Sequence, residues 1–270
     1  MKTLANHVIL YDANCPMCHL YTGAFVKTKM LDKDGRVPYQ QLPEQLCPYV
    51  DMERAINEIA LVNVNTGKVT YGVQSLLKVI GNAVPFLNPL FSFKPFVWIM
   101  SKAYALVSYN RKVIVPAKAA PNELMPSFKL HYRLLYLIIS WLVVAYVLTD
   151  YAKLISPTVP LGGSYREYFI CGGQILFQGL VCLCYKPTKT WDYLGNMMTI
   201  SLAGSLLLLP IIWIGAIFNF SNNTYIILFL ATAGLMFLEH LRRCSLLSLG
   251  LLLSASWMVY RMAVLSFILY

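Results

Sequence analysis

Charge is what this sequence has least of. Only 13% of its 270 residues are Asp, Glu, Lys or Arg, against roughly 25% in a soluble domain. Acidic residues are the scarcer kind, 12 against 22 Lys and Arg, which leaves a net charge of +10. With 58% hydrophobic residues the chain is too apolar to be disordered, and it has neither a Gly-X-Y period nor an internal repeat. Long basic runs are missing too. The longest are Arg111-Lys112 and Arg242-Arg243, so the clustered cationic face that nucleic acid requires is absent and no nucleic-acid partner is expected. Nor does a signal peptide open the chain. Met1 to Asn6 is polar and the apolar run His7–Tyr11 is short, whereas a secretory signal needs an apolar core of about 7–15 residues. The N-terminal half is therefore expected in the cytoplasm. Cysteines stand at 15, 18, 47, 171, 182, 184 and 244. In a reducing compartment or a bilayer they are better suited to catalysis or metal binding than to a disulfide framework.

The shortage of charge is uneven. Residues 1–128 hold 13 Lys/Arg and 8 Asp/Glu, and the longer stretch 129–270 holds 9 and 4. This step predicts a soluble domain over 1–115, a linker over 116–128 and a helical transmembrane domain over 129–270. A span needs about 20 mainly apolar residues. Suitable runs lie at about 130–150 and at 168–185. A third, 193–238, is long enough for two spans and is broken by the polar segment 218–223. The last run starts at Cys244 and is interrupted only by Arg261. Five spans result. Lys112, Lys118, Lys129 and Arg133 precede the first, Lys186 and Lys189 follow the second, and Arg242-Arg243 follow the fourth. The positive-inside rule then puts the N-terminus inside and the C-terminus outside, and a bacterial inner membrane is the expected location. Lys153 and Arg166, offset by Asp150 and Glu167, are the one loop that disagrees.

Within the first half, the periodicity predicts strands at 7–11, 36–42, 59–64 and 68–71 and helices at 15–30, 51–57 and 73–80. Asn65-Thr66-Gly67 supplies a hairpin turn. The aromatic, proline-rich stretch 85–128 contains one amphipathic helix, about 95–112, which lies against the domain or against the membrane surface. The order β-α-β-α-β-β-α, with Cys-x-x-Cys between the first strand and first helix, predicts an α/β thioredoxin-like domain.

Cys15-Pro16-Met17-Cys18 carries the clearest chemistry. A thiol at a helix start meets unpaired N–H groups and the positive end of the helix, which favour its thiolate. A second thiol three residues on is within reach to resolve a mixed disulfide. Cys15 is thus the candidate nucleophile and Cys18 the resolver. Asp12 is a candidate acid/base, or a charge that raises a thiol pKa by repulsion. Three other readings compete. The pair could be half of a zinc site completed by Cys47 and His19 or His7. With His19 it also matches Cys-x-x-Cys-His, the attachment pattern of c-type haem. It could be two inert buried thiols.

The run Asp12-x-x-Cys15-x-x-Cys18 directly after an apolar strand resembles the DCC family, named for that motif. Gly67, Tyr71-Gly72 and Tyr104-x-x-x-x-Tyr109-Asn110-Arg111 extend the likeness over about residues 7–115. Ala13 stands where the family usually has Gly, and no proline directly precedes the third strand. The resemblance implies a thioredoxin-like fold and thiol-disulfide oxidoreductase activity on a protein or small-thiol substrate. It implies no bound cofactor and no metal beyond the redox-active Cys15–Cys18 disulfide. A membrane binding or assembly protein, its degenerate redox domain docking partners, is the alternative.

In the membrane half, Cys171, Gln174, Gln178 and Cys182 fall on one helical stripe that should face neighbouring spans. The rise from Cys171 to Cys182 is about 16 Å, too far for a disulfide. Cys182, Cys184 and Cys244 near the inner end are candidates for a redox relay. Glu239, His240, Arg242 and Arg243 are a candidate inner-face polar site or a set of headgroup anchors. Membrane lipid and a membrane protein partner or oligomer are the expected contacts.

Overall fold

His7–Tyr11 forms strand β1 in the computed structural model, and its unbroken apolar run has a simple cause. β1 lies inside a four-stranded sheet of order β2-β1-β3-β4, with β2 at Arg36–Pro38, β3 at Ala60–Asn63 and β4 at Val69–Tyr71. It pairs in parallel with β2 (Leu10 beside Val37) and antiparallel with β3 (Leu10 beside Ala60). β3 and β4 form an antiparallel hairpin. Both faces of the sheet are covered, so alternate residues of β1 feed two cores. Leu10, with Ala60, Val62, Tyr39 and Ala55, fills one. Ile9, with Leu31, Leu61, Ile59 and Val79, fills the other.

The helices are α1 (Pro16–Lys27), α2 (Met52–Asn57), α3 (Val73–Ala83), α4 (Asn88–Ser92) and α5 (Lys94–Ile114). The element order agrees with the sequence reading. Several details move: α3 continues to Ala83 instead of stopping at residue 80, and the short α4 precedes the one helix expected over 85–128. β2 ends at Pro38, which has no N–H to continue a ladder, and Tyr39–Gln41 turns into a short 3-10 helix instead of extending the strand to residue 42. α1 ends at Lys27, short of Met30, with Lys29 just beyond it at φ +59°. The hairpin turn follows from Asn63, whose Oδ1 accepts from the N–H groups of Asn65 (3.0 Å) and Thr66 (3.1 Å), and from Gly67 at φ +68°.

Five further helices are long and apolar enough to cross a membrane: α6 (Leu130–Leu154), α7 (Arg166–Tyr185), α8 (Thr190–Phe218), α9 (Asn222–Leu246) and α10 (Leu252–Leu269). The break between α8 and α9 is where the polar segment 218–223 predicts it. Asn219 at φ +51° ends α8, and Ser221 Oγ caps α9 by accepting from Thr224 N–H at 3.3 Å. The last boundary corrects the sequence reading. Cys244 does not open the fifth span. α9 runs through Arg242, Arg243 and Cys244, with Glu239 paired to both arginines along the helix, and it ends at Leu246, ahead of Ser248 and Gly250 at positive φ.

The chain divides into two units, Met1–Tyr132 and Arg133–Tyr270. The described residues are 2–42, 47–117, 126–156 and 158–269. Residues 118–125 of the expected linker lie outside them, as does the side chain of Cys47.

Candidate functional site

Cys15 occupies the N-cap of α1, in extended backbone (φ −98°, ψ 108°), with Pro16 at the first helical position. Its sulfur accepts from the Cys18 N–H at 3.4 Å, one of the amides that a helix start leaves without a backbone partner. Cys18 follows one turn on, and the Tyr21 hydroxyl donates to its sulfur at 3.7 Å. The thiol and N–H of Cys18, together with the Arg111 guanidinium, outweigh burial and the Asp12 charge and hold the Cys15 thiol down at about 6, against an ordinary 9. The hydrogen bond to Cys15 and burial push Cys18 the other way. Two thiols of one motif are thus separated into a thiolate at the helix end and a retained proton behind it.

Arg111 is the residue that sequence reasoning left out of the site. It reaches in from α5, buried, and its Nη2 donates to Asp12 Oδ2 at 3.2 Å and to the Ile56 carbonyl at 3.0 Å. The other Asp12 oxygen accepts from Asn14 N–H at 3.0 Å and from Gln40 Nε2 at 2.9 Å. Gln40 Oε1 in turn accepts from Ala13 N–H at 3.1 Å. The truncation of β2 at Pro38 is what turns Gln40 into this position. Asp12 is therefore held as the ion-pair partner of Arg111, with its carboxylate filled by donors. A cavity of about 10 Å³ lies between Asp12, Cys18, Tyr21, Tyr39 and Arg111, at the lower limit of what one water needs. It gives Asp12 and Cys18 a common wall. Burial, then the Asp12 charge, raises the Tyr39 phenol above its ordinary range.

His19 has both ring nitrogens engaged nearby. Nε2 meets the Ala13 carbonyl at 2.9 Å and so carries the proton, while Nδ1 faces Arg36 Nη2 at 3.1 Å and accepts. The nitrogen that a c-type haem iron would need is tied to backbone. Among the described residues, no group of three His, Cys, Asp or Glu side chains is placed to hold a metal ion.

In the second unit, α7 buries one stripe, Cys171, Gln174, Gln178 and Cys182, and turns Phe169, Leu176 and Leu180 outward. The periodicity had placed those four together. Tyr193 of α8 donates to Gln178 Oε1 at 2.7 Å, and its oxygen lies 3.2 Å from His240 Nε2 of α9. His240 Nδ1 meets Ser254 Oγ of α10 at 2.9 Å and the Cys244 sulfur at 3.5 Å. Since Tyr193 donates to Gln178, it accepts from His240 Nε2–H, and Nδ1 accepts from Ser254. The candidate relay divides. Cys182 and Cys244 share one buried cluster with Tyr193, Leu249 and Trp257, whereas Cys184 is exposed. The candidate polar site divides as well. His240 belongs to the buried network, while Glu239 accepts from Arg242 (2.6 Å) and Arg243 (2.7 Å), and Arg243 Nη1 donates to Asn196 Oδ1 at 3.0 Å.

No protein family, curated protein or solved structure matches this chain.

Proposed function

We propose that this protein is a multi-pass membrane thiol-disulfide oxidoreductase of the DCC type, working through Cys15 and Cys18 on a thioredoxin-like first unit. The sheet order supports the fold. A parallel β1-α1-β2 unit, an antiparallel β3-β4 hairpin beside β1 and a following helix are the elements, in the order, that a thioredoxin-like core needs. The observation that carries the activity is the Cys15 sulfur at the N-cap of α1, accepting from Cys18 N–H with Arg111 behind it. Such a thiol is ionised near neutral pH and is a nucleophile.

The exchange runs in two balanced steps. The Cys15 thiolate attacks one sulfur of a substrate disulfide, forms a mixed disulfide and releases the other sulfur as a thiolate. Cys18 then gives up its proton, attacks Cys15 and releases the second substrate thiolate, leaving Cys15–Cys18 oxidised. The released thiolate takes that proton. The reverse sequence oxidises a dithiol substrate, and neither direction requires a bound cofactor. On this reading the unit faces the cytoplasm of a bacterial cell; the Lys and Arg between and before the spans favour that side.

A docking role is the second reading. Cys15 is only 7% exposed and Cys18 5%, and Ile59 rather than proline precedes β3. One experiment separates the two. The full chain carrying Cys18→Ser should accumulate a mixed disulfide on Cys15, and the native chain should form a Cys15–Cys18 disulfide reversibly across glutathione ratios. Failure to form the disulfide at any ratio, or stoichiometric zinc on the pair, would sink the redox reading.

A further inference from the structure

α5 changes character along its length. Its C-terminal half packs into the first unit, with Ser108, Asn110, Arg111 and Val113 buried; Tyr104 accepts from Ile59 N–H at 2.8 Å and Ser108 donates to the Asn57 carbonyl at 2.6 Å. Its N-terminal half does the opposite. Together with α4 and the turn before it, it presents Phe86 (80% exposed), Phe93 (58%), Trp98 (64%) and Ile99 (58%). Large apolar side chains gathered like this on a protein surface mark an interaction face. An open groove of about 420 Å³ lies beside Trp98, lined also by Lys94, Val97, Lys102 and Tyr132.

The charge of this region decides what covers it. No Asp or Glu occurs between Glu58 and Glu123, while Lys68, Lys78, Lys94, Lys102, Arg111, Lys112 and Lys118 all fall there. Arg111 is consumed by Asp12. Lys94 and Lys102 are exposed at the groove, with the Lys102 ammonium 5.9 Å from the centre of the Trp98 ring. Tryptophan and phenylalanine flanked by lysine, in a stretch of sequence without Asp or Glu, suit the boundary between lipid headgroups and chains. Tyr132 lines the groove, and the apolar run of α6 follows it at once.

We infer that the face formed by residues 86–102 docks on the bilayer surface, with Phe86, Phe93, Trp98 and Ile99 set among the upper acyl chains and Lys94 and Lys102 on the headgroups of anionic phospholipids. This surface is independent of the thiol chemistry. It would also hold α5, and through it Arg111, at a fixed level on the membrane.

The test uses the full chain, one copy per nanodisc, in phosphatidylcholine with phosphatidylglycerol brominated near the headgroup end of its chains. The Trp98 emission is taken as the difference between the native protein and Trp98→Phe. It should be quenched at least twofold by the brominated lipid and little by acrylamide. Lys94→Glu with Lys102→Glu, or replacement of the phosphatidylglycerol by phosphatidylcholine brominated in the same way, should cut the lipid quenching at least by half. Trp98 emission open to acrylamide and blind to brominated lipid would overturn the inference, because the face would then meet water or await another protein. Lipid quenching unaffected by both charge changes would overturn the anionic-headgroup assignment.

Discussion

Arg111 donates to Asp12 at 3.2 Å across 99 positions of sequence, and both side chains are almost wholly buried. Removing one partner of such a pair leaves the other charge buried alone, which costs about 3–5 kcal/mol. Arg111→Gln should therefore destabilise the first unit by about that amount, read as increased cleavage of residues 1–132 in urea. Asp12→Asn added to Arg111→Gln should recover part of the loss. A double variant as unstable as the sum of the two singles would show that the residues do not act as a pair.

Cys15 should react as a thiolate well below the range of a free cysteine. The helix-start N–H and thiol of Cys18, aided by Arg111, hold its pKa at about 6, so alkylation by iodoacetamide should rise with pH to a plateau with its midpoint near 6 rather than 9. Cys18, raised by Cys15 and by burial, should be alkylated more slowly throughout. The sign for stability follows from the depressed folded value. The thiolate contributes fully above the unfolded pKa and progressively less as pH falls through the folded one. The reduced unit should thus lose stability between about pH 9 and pH 6, and Cys15→Ala should remove that dependence. A midpoint at 8.5 or higher would contradict the proposed thiolate.

Gln40 fastens the turn that carries the site. It donates to Asp12 at 2.9 Å and accepts from Ala13 N–H at 3.1 Å. Cys15 is 7% exposed, so a reagent or substrate reaches it by local opening, whose population depends on the bonds that must break. Two hydrogen bonds, one of them to a carboxylate, are together worth about 1–3 kcal/mol. Gln40→Ala should speed alkylation of Cys15 roughly tenfold or more at a pH on the plateau, where the thiolate fraction no longer matters. An unchanged rate there would mean that access is governed elsewhere.

What the sequence makes legible is what local chemistry decides. The apolar run His7–Tyr11, the Asn63–Gly67 turn and the Cys15-Pro16 helix start each carry their cause within a few residues, and the β-α order follows from them. Polar spacing likewise reveals the buried face of α7. What escapes is long-range pairing. Arg111 stands in a long stretch without any acid, so its buried charge had to find one elsewhere, and that deficit is the signal that could have led to Asp12. Gln40 was hidden by reading residues 36–42 as one strand through Pro38. The start of the last span is hidden because Arg242 and Arg243 have the look of a loop in sequence, whereas Glu239 pairs with both within α9.

Two glutamines one turn apart on α7 should respond oppositely to the same change. Gln178 Oε1 accepts from Tyr193 at 2.7 Å and from Ser256 at 3.2 Å, so Gln178→Leu strands the buried Tyr193 hydroxyl and loosens His240 through it, while Ser256 keeps the Leu253 carbonyl at 3.1 Å. Neither amide atom of Gln174 has a partner among the described residues, although the side chain is buried. An unmet amide in such a place is unfavourable, and an apolar side chain of similar size removes that cost. Gln178→Leu should lower the stability of the purified chain in mixed micelles by about 1–2 kcal/mol, while Gln174→Leu should leave it unchanged or raise it. If Gln174→Leu is as damaging as Gln178→Leu, its amide engages a partner of its own in the bilayer, and the hydrogen-bonded core of the second unit extends a turn deeper than Gln178, toward Cys171.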